Sequence, residues 1–491
     1  MSGLVVVDKQ ADWPASLPGV DVVTATEYLT EDNYTRRRGM RVYNLCRSFA
    51  YQSNGYYVSL LAGARDHRPL PEITTIQDLK LADSTRLFND ELERLIKKSL
   101  ARLSSEVFEL NVYFGEASSR RHQALARALF NLFPSPLLKA RFSCRNKEWK
   151  LSAIAPMALG EVPESQHPFI FETAAAHFKR RHHSGRRRTP ARYDLAILTN
   201  AEEQDAPSDS KALRKFEKAA KALGFSVDFL DKTDYGVVAE YDALFIRETT
   251  AVNHHTYRFS RRAAREGLVV VDDPLSILRC TNKVFLAQLL ARHRIATPKT
   301  MLIHRGNIDS VGAELGFPCV LKQPDSAFSK GVVKVDDETE LKQQVRELLE
   351  RSDLIVGQAF EPTEYDWRIG VLDGEPLYAC RYYMAPEHWQ IVKRSDKTGA
   401  SKWGQHETLD VSQVPPTVLD VAVRSSRAIG NGLYGVDLKQ VGNRCKVIEV
   451  NDNPSLDADV EDQFLGDELY HRIMSYFLAR LEARVSESRR K

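Results

Sequence analysis

Residues 447–457, VIEVNDNPSLD, place Glu449, Asn451, Asp452 and Asn453 within five positions at the end of an otherwise apolar run. Side chains of an extended strand alternate faces, so Glu449 and Asn451 share one face while Val450 takes the other. Just upstream, LYGVDLKQVGNRCK reads as a second strand that returns through a turn at Gly442-Asn443. Directly opposed residues of an antiparallel hairpin share a face. A loop of Gly442-Asn443-Arg444 opposes Asp437 to Glu449, whereas a Gly442-Asn443 loop opposes Asp437 to Ile448; a turn of odd length is therefore expected. Asp437, Glu449 and Asn451 then form an all-oxygen cluster, a donor set that suits Mg²⁺ or Mn²⁺, ions that keep several waters and share phosphate oxygens. A bound cation also relieves the repulsion between two carboxylates held close on an apolar sheet. The plain alternative is a hairpin of solvated acids, and the apolar alternate faces of YGVDL and KVIEV argue against it.

A hard divalent ion implies phosphate, which directs attention to cations. Lys322 ends an apolar strand in FPCVLKQPDSAFSKGVVKV, and the loop from Ser326 to Gly331 offers hydroxyl and backbone donors that can close over a phosphate. Lys283 opens the helical run NKVFLAQLL. Either lysine alone is weak evidence, since lysines in such positions are usually just solvated. Gln358, Ala359 and Phe360 set backbone polar groups beside apolar ones, as a purine edge and face require. Asp366 and Arg368 share one face of the next strand, and Arg381 is expected to return on its hairpin partner after a turn at Asp373-Gly374. Cations that converge on a metal-phosphate site stabilise charge on a transferred phosphoryl group or an acyl phosphate.

The elements that must position these residues fall into several segments, as 491 residues require. From 1 to about 165 the chain has α/β texture: LVVVD, DVVTATEYL and RVYNLC read as strands, GYYVSLLAGARDHR and residues 89–103 as helices, the latter capped by Asn89 or Asp90. Gly55 reads as a turn glycine more readily than as an anion cradle. Residues 179–192, KRRHHSGRRRTPAR, form a dense basic run that either contacts nucleic acid or an acidic partner, or serves as a solvated spacer; the lack of interleaved aromatics favours the spacer. Alternating strands and helices from 192 to 278 predict a small parallel sheet, and the hairpin-rich remainder predicts a mixed α+β domain.

The net charge of +3 gives little reason to expect a wholly basic nucleic-acid binder. Six scattered cysteines without CxxC spacing make neither a zinc site nor a disulfide framework. The opening MSGLVVVDKQADWP has no basic leader pattern, and no run approaches the ~20 apolar residues that span a bilayer, so a cytoplasmic protein without a membrane partner is expected.

The order of Lys283, Lys322 with its loop, GQAFEP, DWRIGVLDG, CRYYM, GVDL and VIEVNDNPSL resembles an ATP-grasp domain, nearest to the RimK-like branch of glutamate and peptide ligases. The resemblance implies an N-terminal α/β domain (1–165) as in a RimK-like subgroup, a basic linker (166–191), a small α/β pre-ATP-grasp domain (192–278) and an ATP-grasp domain (279–485). It implies ATP and Mg²⁺ or Mn²⁺ as two ions, with Asp437, Glu449 and Asn451 as metal ligands and Glu449 bridging. Lys283 and Lys322 match lysines on the phosphate and adenine sides of ATP, Gln358, Ala359 and Phe360 the hinge that receives adenine, and Asp366 a nucleotide contact. Arg368 and Arg381 match positions facing the acyl phosphate. PDSAFSKGV departs from the family in having one glycine, and in APEHWQIVKRS Lys393 and Arg394 stand where a basic, asparagine-containing segment is usual. The implied activity is ADP-forming carboxylate-amine ligation of amino-acid or peptide substrates, glutamate among them, and the resemblance is compatible with a homo-oligomer. A phosphotransferase using the same Mg-ATP site and an ATP-regulated binding module are the alternatives.

Overall fold

The computed structural model describes all residues except 1–2, 14–19, 32, 35–36, 38–39, 66, 82–89, 146–147, 180–190, 326–330, 387, 395–400 and 491. The expected cap Asn89, nearly all of the basic run, and most of the Ser326–Gly331 loop lie outside the described residues, as do the side chains of Asp90, Lys393 and Arg394. The chain divides into two compact units, Met1–Arg192 with Thr233–Tyr241, and Tyr193–Lys232 with Asp242–Lys491. Residues 233–241, expected within the 192–278 segment, thus belong to the first unit.

In the first unit, Val20–Thr24, Gly3–Val7, Arg41–Asn44 and Arg68–Leu70 form a parallel sheet in that order. The unbroken apolar run of the central strand suits a sheet covered on both faces. Val107–Tyr113, Leu137–Arg145 and Glu148–Pro156 form an antiparallel sheet. The expected strand DVVTATEYL breaks at Thr24, and Ala25–Thr30 is helical. Thr24 Oγ1 accepts the Glu27 N–H while the Glu27 carboxylate accepts from Thr24 N–H, a capping box that starts a helix where periodicity alone favours extension. Gly55 is not a turn glycine. It lies inside the Asn54–Ala64 helix, where a Cβ would come within 2.4 Å of the Ser48 carbonyl oxygen. The expected linker at 166–191 is in part core: His167–Lys179 is a helix that buries Ile170, Ala174 and Phe178.

The second unit begins with a parallel sheet ordered Val269–Val271, Ala243–Arg247, Tyr193–Thr199, Phe225–Leu230. Phe216 of the Ser210–Ala222 helix packs edge-on against Tyr470 of the Asp467–Arg490 helix, and Phe245 against Phe477, so the last helix closes over the first sheet. Two antiparallel sheets follow. One is ordered Thr300–Ile303, Ile355–Ala359, Cys319–Lys322, Val332–Val335, and Leu341 and Val345 of the Glu338–Leu349 helix join its core. The other is ordered His406–Leu409, Glu375–Tyr383, Tyr365–Leu372, Leu433–Val441, Arg444–Asn451, and buries Val418, Ala422 and Ile429 of the Pro416–Ile429 helix. Asp373 and Gly374 both take positive φ (53° and 78°), the tight hairpin turn that an Asp-Gly pair favours.

Candidate active site

Asp437 stands opposite Glu449 in the ladder between Leu433–Val441 and Arg444–Asn451, and Gly435 stands opposite Asn451. The turn that leads there is not of odd length. Val441 pairs with Arg444 across a Gly442-Asn443 loop, and the register shifts between Asp437 and Leu438, leaving Ile448 as an extra residue. This β-bulge supplies the one-residue offset that was expected from the loop. The two carboxylates share a face, and Asn451 Nδ2 donates to Asp437 Oδ2 at 3.2 Å.

Each carboxylate has a cationic partner. Arg368 donates through Nε and Nη2 to both oxygens of Asp437 (2.7 and 2.8 Å), a bidentate pair across neighbouring strands. Lys283 Nζ lies 2.7 Å from Glu449 Oε1. Lys283 is the first residue of the Lys283–Arg292 helix, capped by Asn282 through the Phe285 N–H. A buried cation is disfavoured at a helix N-terminus, so its placement there serves the acid it faces rather than the helix. Burial pushes the Glu449 carboxyl up, but Lys283 and Lys322 outweigh it and hold it below the usual range. Lys322, at the end of the Cys319–Lys322 strand and 8% exposed, is pushed down to about 8 by burial.

Two cavities meet at this cluster. A smaller one of about 150 Å³ is lined by Lys322, Gln358, Ala359, Phe360 and Asp366. A larger one of about 540 Å³ is lined by Arg368, Asn451 and the end of the second antiparallel sheet. Lys283, Asp437 and Glu449 line both. The carboxylates and the Asn451 amide, on adjacent strands at the junction, fit a hard divalent cation that shares its remaining positions with phosphate. Asp366 accepts from Lys439 Nζ at 2.6 Å and Thr363 Oγ1 at 2.9 Å; burial raises its carboxyl against the pull of Lys439. Gln358 Nε2 donates to Thr300 Oγ1 at 3.0 Å.

Arg381 is not brought to the cluster. Asp366 pairs with Tyr382 and Arg368 with Cys380, so alternation carries Arg381 to the opposite face beside Trp367. Its guanidinium sits 4.7 Å from the Trp367 ring and 5.0 Å from the Tyr365 ring, and pairs with Glu407 at 3.2 Å. Counting from the Asp373-Gly374 turn alone opposes Asp366 to Arg381; the register shifts between Gly370 and Val371, leaving Leu377 as an extra residue, and this bulge puts Tyr382 opposite Asp366 instead. Sequence reasoning also missed Lys439, legible as the residue two after Asp437 on the same strand, and Ile448 and Trp389 in the smaller cavity's wall. Asn453, close to the metal candidates in sequence, has an architectural role. It accepts from buried Arg247 Nη1 at 2.6 Å and donates to the Glu248 carbonyl at 2.7 Å, tying the loop to the parallel sheet. Asp452, which also lines the larger cavity, accepts from Thr250 Oγ1 at 2.8 Å.

Two antiparallel sheets with a lysine-lined cavity, opening at an acidic hairpin onto a second cavity, define the ATP-grasp class of ADP-forming carboxylate-amine ligases, which use ATP and Mg²⁺. Residues 280–476 match the RimK-like ATP-grasp domain and residues 25–173 the RimK-like ATPgrasp N-terminal domain; the chain belongs to the RimK-like ATP-grasp family. It is 25% identical over 299 residues to tetrahydromethanopterin:alpha-L-glutamate ligase of Methanocaldococcus jannaschii, covering 57% of this chain and 98% of that one. It is 26% identical over 227 residues to a probable alpha-L-glutamate ligase of Maridesulfovibrio salexigens, covering 44% and 70%. A D-alanine–D-alanine ligase structure from Bacillus anthracis superposes with a TM-score of 0.47 at 15% identity over 60% of this chain and 99% of that one. Among the described residues, no helix is long and apolar enough to cross a membrane.

Proposed function

We propose that this ligase joins an amino acid of the glutamate type to a second amino-acid or peptide substrate through an acyl phosphate. The observation that carries this reading is the junction of the two cavities at Asp437 and Glu449, which lets a nucleotide and an acceptor approach one cluster from opposite sides. The names of the relatives, alpha-L-glutamate ligases, support the substrate class. The larger cavity lies within the size range of small-molecule sites.

In this reading adenine lies against Gln358, Ala359 and Phe360, while Lys283 and Lys322 meet the phosphates. Asp437, Glu449 and Asn451 would hold the Mg²⁺ or Mn²⁺, two ions in this reading, and the metal would supply neutralisation of phosphate charge. A substrate carboxylate in the larger cavity attacks the γ-phosphorus as the bond to the β–γ bridging oxygen breaks and ADP leaves with its electron pair, and Arg368 steadies the charge that develops. An amine then attacks the acyl carbon, forming the C–N bond as phosphate leaves with the C–O electron pair. Alignment and preorganised charge supply the rate, and no protein nucleophile is required. Six free cysteines suit a reduced cytoplasm.

The test is ADP release with L-glutamate, other amino acids and small peptides, alone and in pairs, with mass spectrometry of the product. The expected product is an amide whose formation depends on the added amine. A phosphorylated product released without dependence on an amine would overturn ligation in favour of phosphoryl transfer.

A further inference from the structure

The larger cavity contains a polar pair that phosphoryl transfer does not use. Tyr382 and Glu461 both line it, together with Arg368 and Asn451. Because Tyr382 pairs with Asp366, it shares the face of Arg368, and its ring lies 5.2 Å from the Arg368 guanidinium. Its hydroxyl donates to Glu461 Oε1. Glu461 Oε2 accepts the Asp457 N–H at 2.8 Å, and the neighbouring Val460 carbonyl is anchored by Thr408 Oγ1 at 2.7 Å. Glu461 is only 1% exposed, yet among the described residues no lysine, arginine or histidine forms an ion pair with it. A buried carboxylate without a cation is costly, and here it is held behind a phenol that faces the cavity.

We propose that Tyr382 and Glu461 form a proton relay for the amine substrate, Tyr382 receiving a proton from the ammonium while passing its own to Glu461. This rests on the ligase reading of the same cavity. The ammonium N–H bond breaks toward Tyr382 Oη, and the Tyr382 O–H bond breaks toward Glu461 Oε1, leaving a neutral amine, a neutral phenol and a carboxylic acid. The amine lone pair then forms the C–N bond and the acyl C–O bond breaks with its electrons on phosphate, which carries away the second amine proton. Glu461 afterwards returns its proton to solvent. Tyr382 is the residue that touches the substrate; Glu461 acts through it as a positioning and accepting group.

The surroundings agree with this role. Burial pushes the Glu461 carboxyl up to about 7, against hydrogen bonds from Tyr382 and Asp457. The titratable and charged groups around the pair are Arg368, Tyr378, Cys380 and Tyr382 on the sheet, His406 on its edge strand with its ring 6.4 Å from that of Tyr382, Asp457 on the loop of Glu461, Arg247 at the parallel sheet and Tyr470 on the last helix. An acceptor tuned near neutrality is matched to general-base work at physiological pH.

The experiment supplies the full-length enzyme, Mg-ATP and L-glutamate as carboxylate, with either L-glutamate or hydroxylamine as the amine. Hydroxylamine is neutral at pH 7 and traps an acyl phosphate as hydroxamate without first surrendering a proton. Tyr382→Phe keeps the ring on Arg368 and is expected to form hydroxamate within about twofold of wild type while amide formation falls about a hundredfold or more. Glu461→Gln is expected to show the same split and to lose the rise in amide formation as pH increases through about 7. Parallel loss of both products in Tyr382→Phe, or unchanged amide formation in it, would overturn the relay. A wild type that makes neither product would overturn the ligase reading, and the relay with it, before any variant is examined.

Discussion

Asp437 and Glu449 face each other across their hairpin because Ile448 is an extra residue in the ladder, not because the turn is long. The bulge has a second consequence: Ile448 also lines the smaller cavity, so one irregularity places an apolar wall and an acid side by side. Deleting Ile448 straightens the ladder and keeps Asp437 opposed to Glu449. The expected result is a folded enzyme whose KM for ATP rises about tenfold while kcat changes less, measured by steady-state ADP release.

Glu449 stands with Asp437 at the junction of both cavities, and its loss removes the counter-charge that Lys283 and Lys322 share. Glu449→Ala is expected to lower turnover by about a hundred- to a thousandfold, as losses of preorganised electrostatic groups do. Binding of Mg-ATP should weaken in the same variant, measured by calorimetry, with the circular dichroism spectrum unchanged. Turnover close to wild type would remove Glu449 from the metal assignment.

Burial lowers Lys322 to about 8, so in the free enzyme its charge is present below that pH and is lost as pH rises through it. ATP affinity of the free enzyme is therefore expected to fall between pH 7 and 9, by roughly tenfold if Lys322 contributes the ~1.5–3 kcal/mol of a charge-assisted hydrogen bond. Lys322→Met should bind ATP weakly throughout and lack this limb. Calorimetric titration across that pH range compares the two profiles.

Arg368 and Arg381 differ in face, and their substitutions should differ in kind. Arg368→Ala removes the partner of Asp437 and is expected to abolish most turnover. Arg381→Ala removes a cation stacked on Trp367 and Tyr365, worth about 1 kcal/mol for a partly exposed pair of contacts. It should leave turnover within about twofold of wild type and lower Tm by about 2–4 °C.

Local pattern was enough to reveal much of this molecule. The period-2 runs around Asp437 and Glu449, the strand that ends in Lys322 and the helix that opens at Lys283 are all written in neighbouring residues, because side-chain alternation and capping are short-range effects. Their order along the chain carried the resemblance to the RimK-like ATP-grasp family. Short-range pattern misled where a single residue changes parity or competes for the backbone. The Thr24–Glu27 capping box turned an apparent strand into a helix, and the extra residue Leu377 in its ladder moved Arg381 off the face that Tyr382 takes instead. The tertiary structure alone decided the Ile448 bulge, since either register satisfies the turn and only packing across the sheet selects one. It also decided the Tyr382–Glu461 pair, whose members are separated by 79 residues and meet because folding brings a distant loop against the sheet face, a contact that no local spacing encodes.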